Sequence, residues 1–62
     1  MDRKQAETRV QMWLVVSDIM MEKPNYEMAR RLANLIYNLS DKTEVYTSGF
    51  IYDCWCMYKN EH

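Results

Sequence analysis

The feature that most limits what this chain can become is the run at residues 10–21, Val-Gln-Met-Trp-Leu-Val-Val-Ser-Asp-Ile-Met-Met, the longest apolar stretch in 62 residues. Side chains advance by ~100° per residue around a helix. On that wheel Ala6, Val10, Trp13, Leu14, Ser17, Met20 and Met21 share one face, with Val16 at its edge. Met12, Val15 and Ile19 fall on a different face, and Glu7, Gln11, Asp18 and Glu22 fill the wedge that remains. A helix that is apolar on two sides is normally covered on two sides. A strand is the rival geometry, because residues 13–16 favour β structure. The run is too long for a typical strand, however, and helix formers flank it, Lys4-Gln5-Ala6-Glu7 before and Met20-Met21-Glu22-Lys23 after. The expectation is a central helix over 3–22, with Asp2 as its N-cap.

Pro24 ends that helix, since it disfavours helical geometry in Lys23 and offers no N–H to the ladder. Asn25 then caps a second helix over 26–39, with Glu27 near the positive end of its dipole. Met28, Ala29, Leu32, Leu35, Ile36 and Leu39 form its apolar stripe, and Glu27, Arg30, Arg31, Asn34 and Asn38 its polar face. Ala29 and Ala33 are small enough for a neighbouring helix to approach closely.

Ser40-Asp41-Lys42-Thr43-Glu44 reads as a helix start, a Ser or Asp cap followed by an acid in the first turn. Phe50, Ile51, Cys54, Trp55, Met57 and Tyr58 then lie within one arc at helical spacing, which favours a third helix over 42–59. Gly49 marks either a kink in it or a late start at Ser48. The same stretch also admits a strand pair turning at Ser48-Gly49, although Asp53 would then share a face with Ile51, Trp55 and Met57. The tail Asn60-Glu61-His62 is expected to fray. The fold class is therefore all-α, one three-helix domain over residues 1–62. Its expected core is Val10, Trp13, Leu14, Leu32, Leu35, Ile36, Leu39, Phe50, Cys54 and Trp55.

A chain this short makes one domain, and about 60% of its unfolded surface is buried on folding, so its stability depends heavily on anything that adds to the core. Hydrophobic residues make up 48%, too many for disorder, and a single Gly and a single Pro argue against an all-β chain with many turns. The net charge of −1 comes from eight basic and nine acidic residues well mixed, so no strong field points at nucleic acid, an anionic membrane or an acidic substrate. The apolar run begins after mixed charges, is broken by Ser17-Asp18 and falls short of the ~20 residues that span a bilayer. A cytoplasmic protein is the expectation.

Candidate chemistry is sparse. Cys54 and Cys56 are too close in sequence to staple distant parts, so both are expected as reduced, structural thiols. With His62 they offer three soft ligands, but on a helix the two thiols point ~200° apart, and zinc asks for four ligands on better-spaced cysteines. The one His is the last residue, which gives no rigid base for a nucleophile, and a single glycine rules out a glycine-rich phosphate loop. Asp18 is read as part of a solvated wedge. The expectation is a non-enzyme without metal or cofactor.

Two binding functions remain. Three short helices with a tight connection between the second and third suit a helix-turn-helix DNA-binding regulator, and Ala29 and Ala33 with Arg30-Arg31 between them resemble its first helix. The turn glycine is missing, and the reading helix would carry aromatics and an acid where base contacts belong. The stronger expectation is a protein-interaction module, a regulator, inhibitor or adaptor. Met12, Val15 and Ile19 on the surplus face of helix 1 would meet a partner, most simply a second copy of the chain.

Overall fold

In the computed structural model, which describes residues 2–61, helix α1 (Arg3–Val16) opens on a capping box. The Asp2 carboxylate accepts from the Gln5 N–H at 2.8 Å, and the Gln5 side chain accepts from the Asp2 N–H at 3.4 Å. The helix stops six residues before the expected Glu22. Ser17 is its C-cap, and Asp18 takes a positive φ of 58°, the left-handed geometry that short polar side chains tolerate. The Asp18 N–H then turns back to the Val15 carbonyl at 3.1 Å. Residues 17–25 form an irregular connection, with one tight turn closed by Glu22 N–H on the Ile19 carbonyl at 3.0 Å.

Helix α2 (Tyr26–Leu39) has both ends where the sequence puts them. The Asn25 side chain accepts from the Met28 N–H at 3.2 Å, and the far end closes in a Schellman arrangement. There Lys42 N–H reaches the Tyr37 carbonyl at 2.8 Å and Asp41 N–H reaches Asn38 at 3.3 Å. Asp41 and Lys42 both carry positive φ, 55° and 67°. This cap uses the residues that read as a helix start, so the third helix begins later than 42.

After the turn at residues 40–42, residues 43–47 run on as an extended arm without strand pairing. Ser40 Oγ accepts from the Glu44 N–H at 3.1 Å, and Thr43 Oγ1 donates to the Ser40 carbonyl at 2.6 Å, which ties the arm to the end of α2. Helix α3 (Ser48–Glu61) starts after Thr47, whose Oγ1 accepts from the Phe50 N–H at 3.0 Å. No strand forms among the described residues, so the hairpin alternative does not hold. Asn60 and Glu61 are helical rather than frayed, and His62 lies outside the described residues.

The centre of the packing is α3, not α1. Helix α3 packs chiefly on α2 and also on α1, whereas α1 and α2 touch only marginally. Ile51, Cys54 and Trp55 of α3 meet Ala29, Leu32, Ala33 and Ile36 of α2, and Val10 and Leu14 of α1 close the cluster. The two alanines supply the small volumes that a core holding a fully buried Trp requires. Trp13 and Phe50 are half-buried against this cluster. Leu35 and Leu39, expected inside, are 47% and 63% exposed, because α2 has one neighbour along its length and the edge of its stripe faces outward.

Candidate interaction surface on the first helix

What sets the rotation of α1 is a carboxylate far away in sequence. Glu44, on the arm, is 8% exposed and sits between two donors from α1. Arg9 Nε donates to its Oε1 at 2.6 Å and Trp13 Nε1 to its Oε2 at 3.1 Å, while the Arg9 guanidinium also pairs with the carboxylate as an ion. The hydrogen bond and then the charge of Glu44 push the Arg9 guanidinium above its ordinary pKa. Arg9 and Trp13 are spaced i,i+4, so two points one turn apart are fixed at once. Val10 and Leu14 then turn into the core, and the opposite side of the helix has to face out.

That outward side carries Met12, Val15 and Val16, exposed by 52%, 53% and 76%. Two shallow hollows border the ridge made by Met12 and Val16. One, of about 360 Å3, is lined by Thr8, Gln11, Met12, Val15, Val16 and Tyr58. The other, of about 210 Å3, is lined by Arg9, Met12, Trp13 and Val16. Of the three residues expected to form the partner face, Met12 and Val15 lie on it together. Ile19 does not, because the helix ends before it and the following turn folds Ile19 and Met20 back on the core. Val16 takes its place, and Tyr58 of α3 joins from below. The helical wheel sets Val16 at the edge of the core-facing side, so its place on this outward side was not foreseen.

The remaining candidates are scattered. Cys54 is fully buried, and desolvation pushes its thiol up to about 11, with the charges of Glu7 and Asp53 adding to the effect. A thiol so placed is a poor nucleophile at neutral pH. Cys56 is partly exposed, and both cysteines are free. Among the described residues no three His, Cys, Asp or Glu side chains gather as they would around a metal ion. Arg30 and Arg31 are exposed, with Arg31 within 3.5 Å of Glu27. The connection from α2 to α3 is eight residues long, against the three or four of a helix-turn-helix. No described helix is long and apolar enough to cross a membrane.

A further concavity, of about 510 Å3, opens between the start of α1 and the arm. There Arg3 lies 5.8 Å over the Phe50 ring, and Tyr46 stacks on the same ring at 6.1 Å. These contacts hold the arm against α1 and α3, which is a structural role. Compared with models of known protein families, with curated proteins and with solved structures, the chain matches none.

Proposed function

We propose that this chain is a non-enzymatic protein-interaction module, a regulator, inhibitor or adaptor that docks through the outward face of α1 without metal or cofactor. One observation carries the reading: Met12, Val15 and Val16 stand exposed side by side on a helix that a buried carboxylate holds in one rotation. Single exposed apolar residues are ordinary, but a contiguous set on one helix face is what docking surfaces use. The neutral charge balance and the Asp53 and Met57 side chains exposed on α3 favour a protein partner over nucleic acid.

Site-specific photocrosslinking tests this. A photoreactive residue at position 15 should give one discrete protein adduct in cells, and the same residue at exposed position 53 should give none. Equal adducts at both positions, or none at position 15, would show that the α1 face is not a docking surface.

A further inference from the structure

We infer that the arm over residues 43–47 is an open strand edge, which pairs with the same arm of a second copy, antiparallel about a two-fold axis at Val45. This surface is separate from the outward face of α1. Exposure alternates along the arm: Thr43, Val45 and Thr47 are exposed, whereas Glu44 is buried and Tyr46 half-buried. A period of two is the pattern of a strand lying with one face on the protein. All of its residues but Glu44 are β-branched or aromatic, the types that favour strands. No described strand lies beside it.

Along a strand the N–H and C=O of one residue point to the same edge, and those of the next residue to the other. Thr43, Val45 and Thr47 therefore share an edge. The Thr43 N–H donates to the Ser40 carbonyl at 3.2 Å, and the Thr47 carbonyl accepts from the Ile51 N–H at 3.1 Å. Between these two closed ends, the Thr43 carbonyl, both backbone groups of Val45 and the Thr47 N–H make no hydrogen bond among the described residues. The opposite edge offers no such run, because the Glu44 N–H is held by Ser40 Oγ.

The order of these open groups selects the occupant. Under a two-fold axis at Val45, the two Val45 residues exchange both bonds, and each Thr43 carbonyl meets the partner's Thr47 N–H. Every open group is then used on both chains. The two that would lack a partner, the Thr43 N–H and the Thr47 carbonyl, are the two already satisfied within the chain. A foreign strand would run past both ends and leave its own groups open there. Side chains agree with this register. Thr43 stands beside the partner's Thr47 and Val45 beside the partner's Val45, β-branched pairs that suit a sheet, and Glu44 lies opposite the partner's Tyr46 rather than another acid. Edges that stay single usually carry an exposed charge, a Pro or a bulge, and the exposed side of 43–47 carries neither charge nor Pro. Asp41 and Lys42 flank one end and Ser48 and Gly49 the other, so the axis sets neither charge beside its own copy. Each arm is already held by Ser40, by Glu44 and by the Thr47 cap, so pairing orders little that was free. Five residues a side is a small contact, and the dimer is a weak one, populated from roughly 100 μM upward.

Sedimentation equilibrium and solution NMR on the full chain, from about 10 μM to about 1 mM, test this. The expected result is a monomer–dimer equilibrium in which the Val45 and Thr47 amides become protected as concentration rises. In a mixture of labelled and unlabelled chains, Glu44 Hα should lie close to the partner's Tyr46 Hα, the near pair of an antiparallel ladder in this register. Val45→Pro removes the Val45 donor from both chains and should weaken the dimer at least ~10-fold, while Val45→Thr should leave it within ~3-fold. Both should leave the melting midpoint of the dilute monomer unchanged. If Val45→Pro lowers it, a backbone ester in place of the Val45 N–H, with the side chain kept, makes the same test. A chain that stays monomeric throughout overturns the second copy, even if a photoreactive residue at position 45 captures the strand of a different protein. A dimer indifferent to loss of the Val45 N–H uses another surface and overturns the inference. Neither result bears on the α1 face, which the position-15 crosslink tests by itself.

Discussion

At the scale of single residues, Glu44 is the one buried polar or charged side chain among the described residues, and it ties the arm to α1. A buried carboxylate is tolerated only when charged or polar donors surround it, and Arg9 and Trp13 supply them from across the chain. Removing it leaves the Trp13 N–H without its acceptor and strips α1 of its rotational anchor. Glu44→Ala should therefore lower the free energy of unfolding by about 1–3 kcal/mol, read from urea denaturation. Glu27→Ala, the same change at an exposed carboxylate, should stay within ~0.5 kcal/mol. Equal losses in the two variants would show that Glu44 is an ordinary surface acid. Nothing in the sequence pointed to it, because its partners are 31 and 35 residues away and local patterns do not reach that far. Trp55 presents the opposite case, since its buried Nε1 has no hydrogen-bond partner and packing alone holds the ring.

At the scale of elements, what was legible followed from local chemistry. Helix α2 could be placed at both ends because Asn25 caps it and its apolar stripe is clean. The errors lie where helix-forming signals continue past a stop made by backbone conformation. Asp18 ends α1, and Asp41 with Lys42 ends α2, all at positive φ and all without the glycine that usually marks such a position. Ser40-Asp41 looked like an N-cap and is instead part of a C-terminal cap, since the same short polar residues serve both purposes. Lys at φ 67° carries a steric cost that glycine avoids, so Lys42→Gly should raise stability by about 0.5–1 kcal/mol and the melting temperature with it. A lower melting temperature would mean that the Lys42 side chain supports the arm. Ile19 parts from Met12 and Val15 for the same reason, because a helical wheel holds only as far as the helix does.

At the scale of the whole molecule, the sequence conveyed three helices and one apolar cluster, but not which helix lies in the middle. The longest apolar run, residues 10–21, pointed to the first helix, yet α1 holds only part of that run and α3 is the element packed on both others. A helix can carry apolar residues on its outward side as well as its inward one, as Met12, Val15 and Val16 do here, and composition does not separate the two. The cost of this arrangement is felt in time rather than in shape. Helix α1 is held by Val10 and Leu14 in the core, by Trp13 against it, by the Glu44 and Arg3–Phe50 contacts and by Lys59 Nζ on the Met21 carbonyl at 3.1 Å in the connection after it, with little from α2. Elements with few buried contacts open as units before the remainder unfolds. Native-state hydrogen exchange should find the α1 amides released together, at a lower opening free energy than the amides of α2 and α3, and Glu44→Ala should widen that gap. Uniform protection across the three helices would show that they open as one. Release of α1 in that order would make its outer face the least persistent part of the molecular surface, present only as often as the helix is docked.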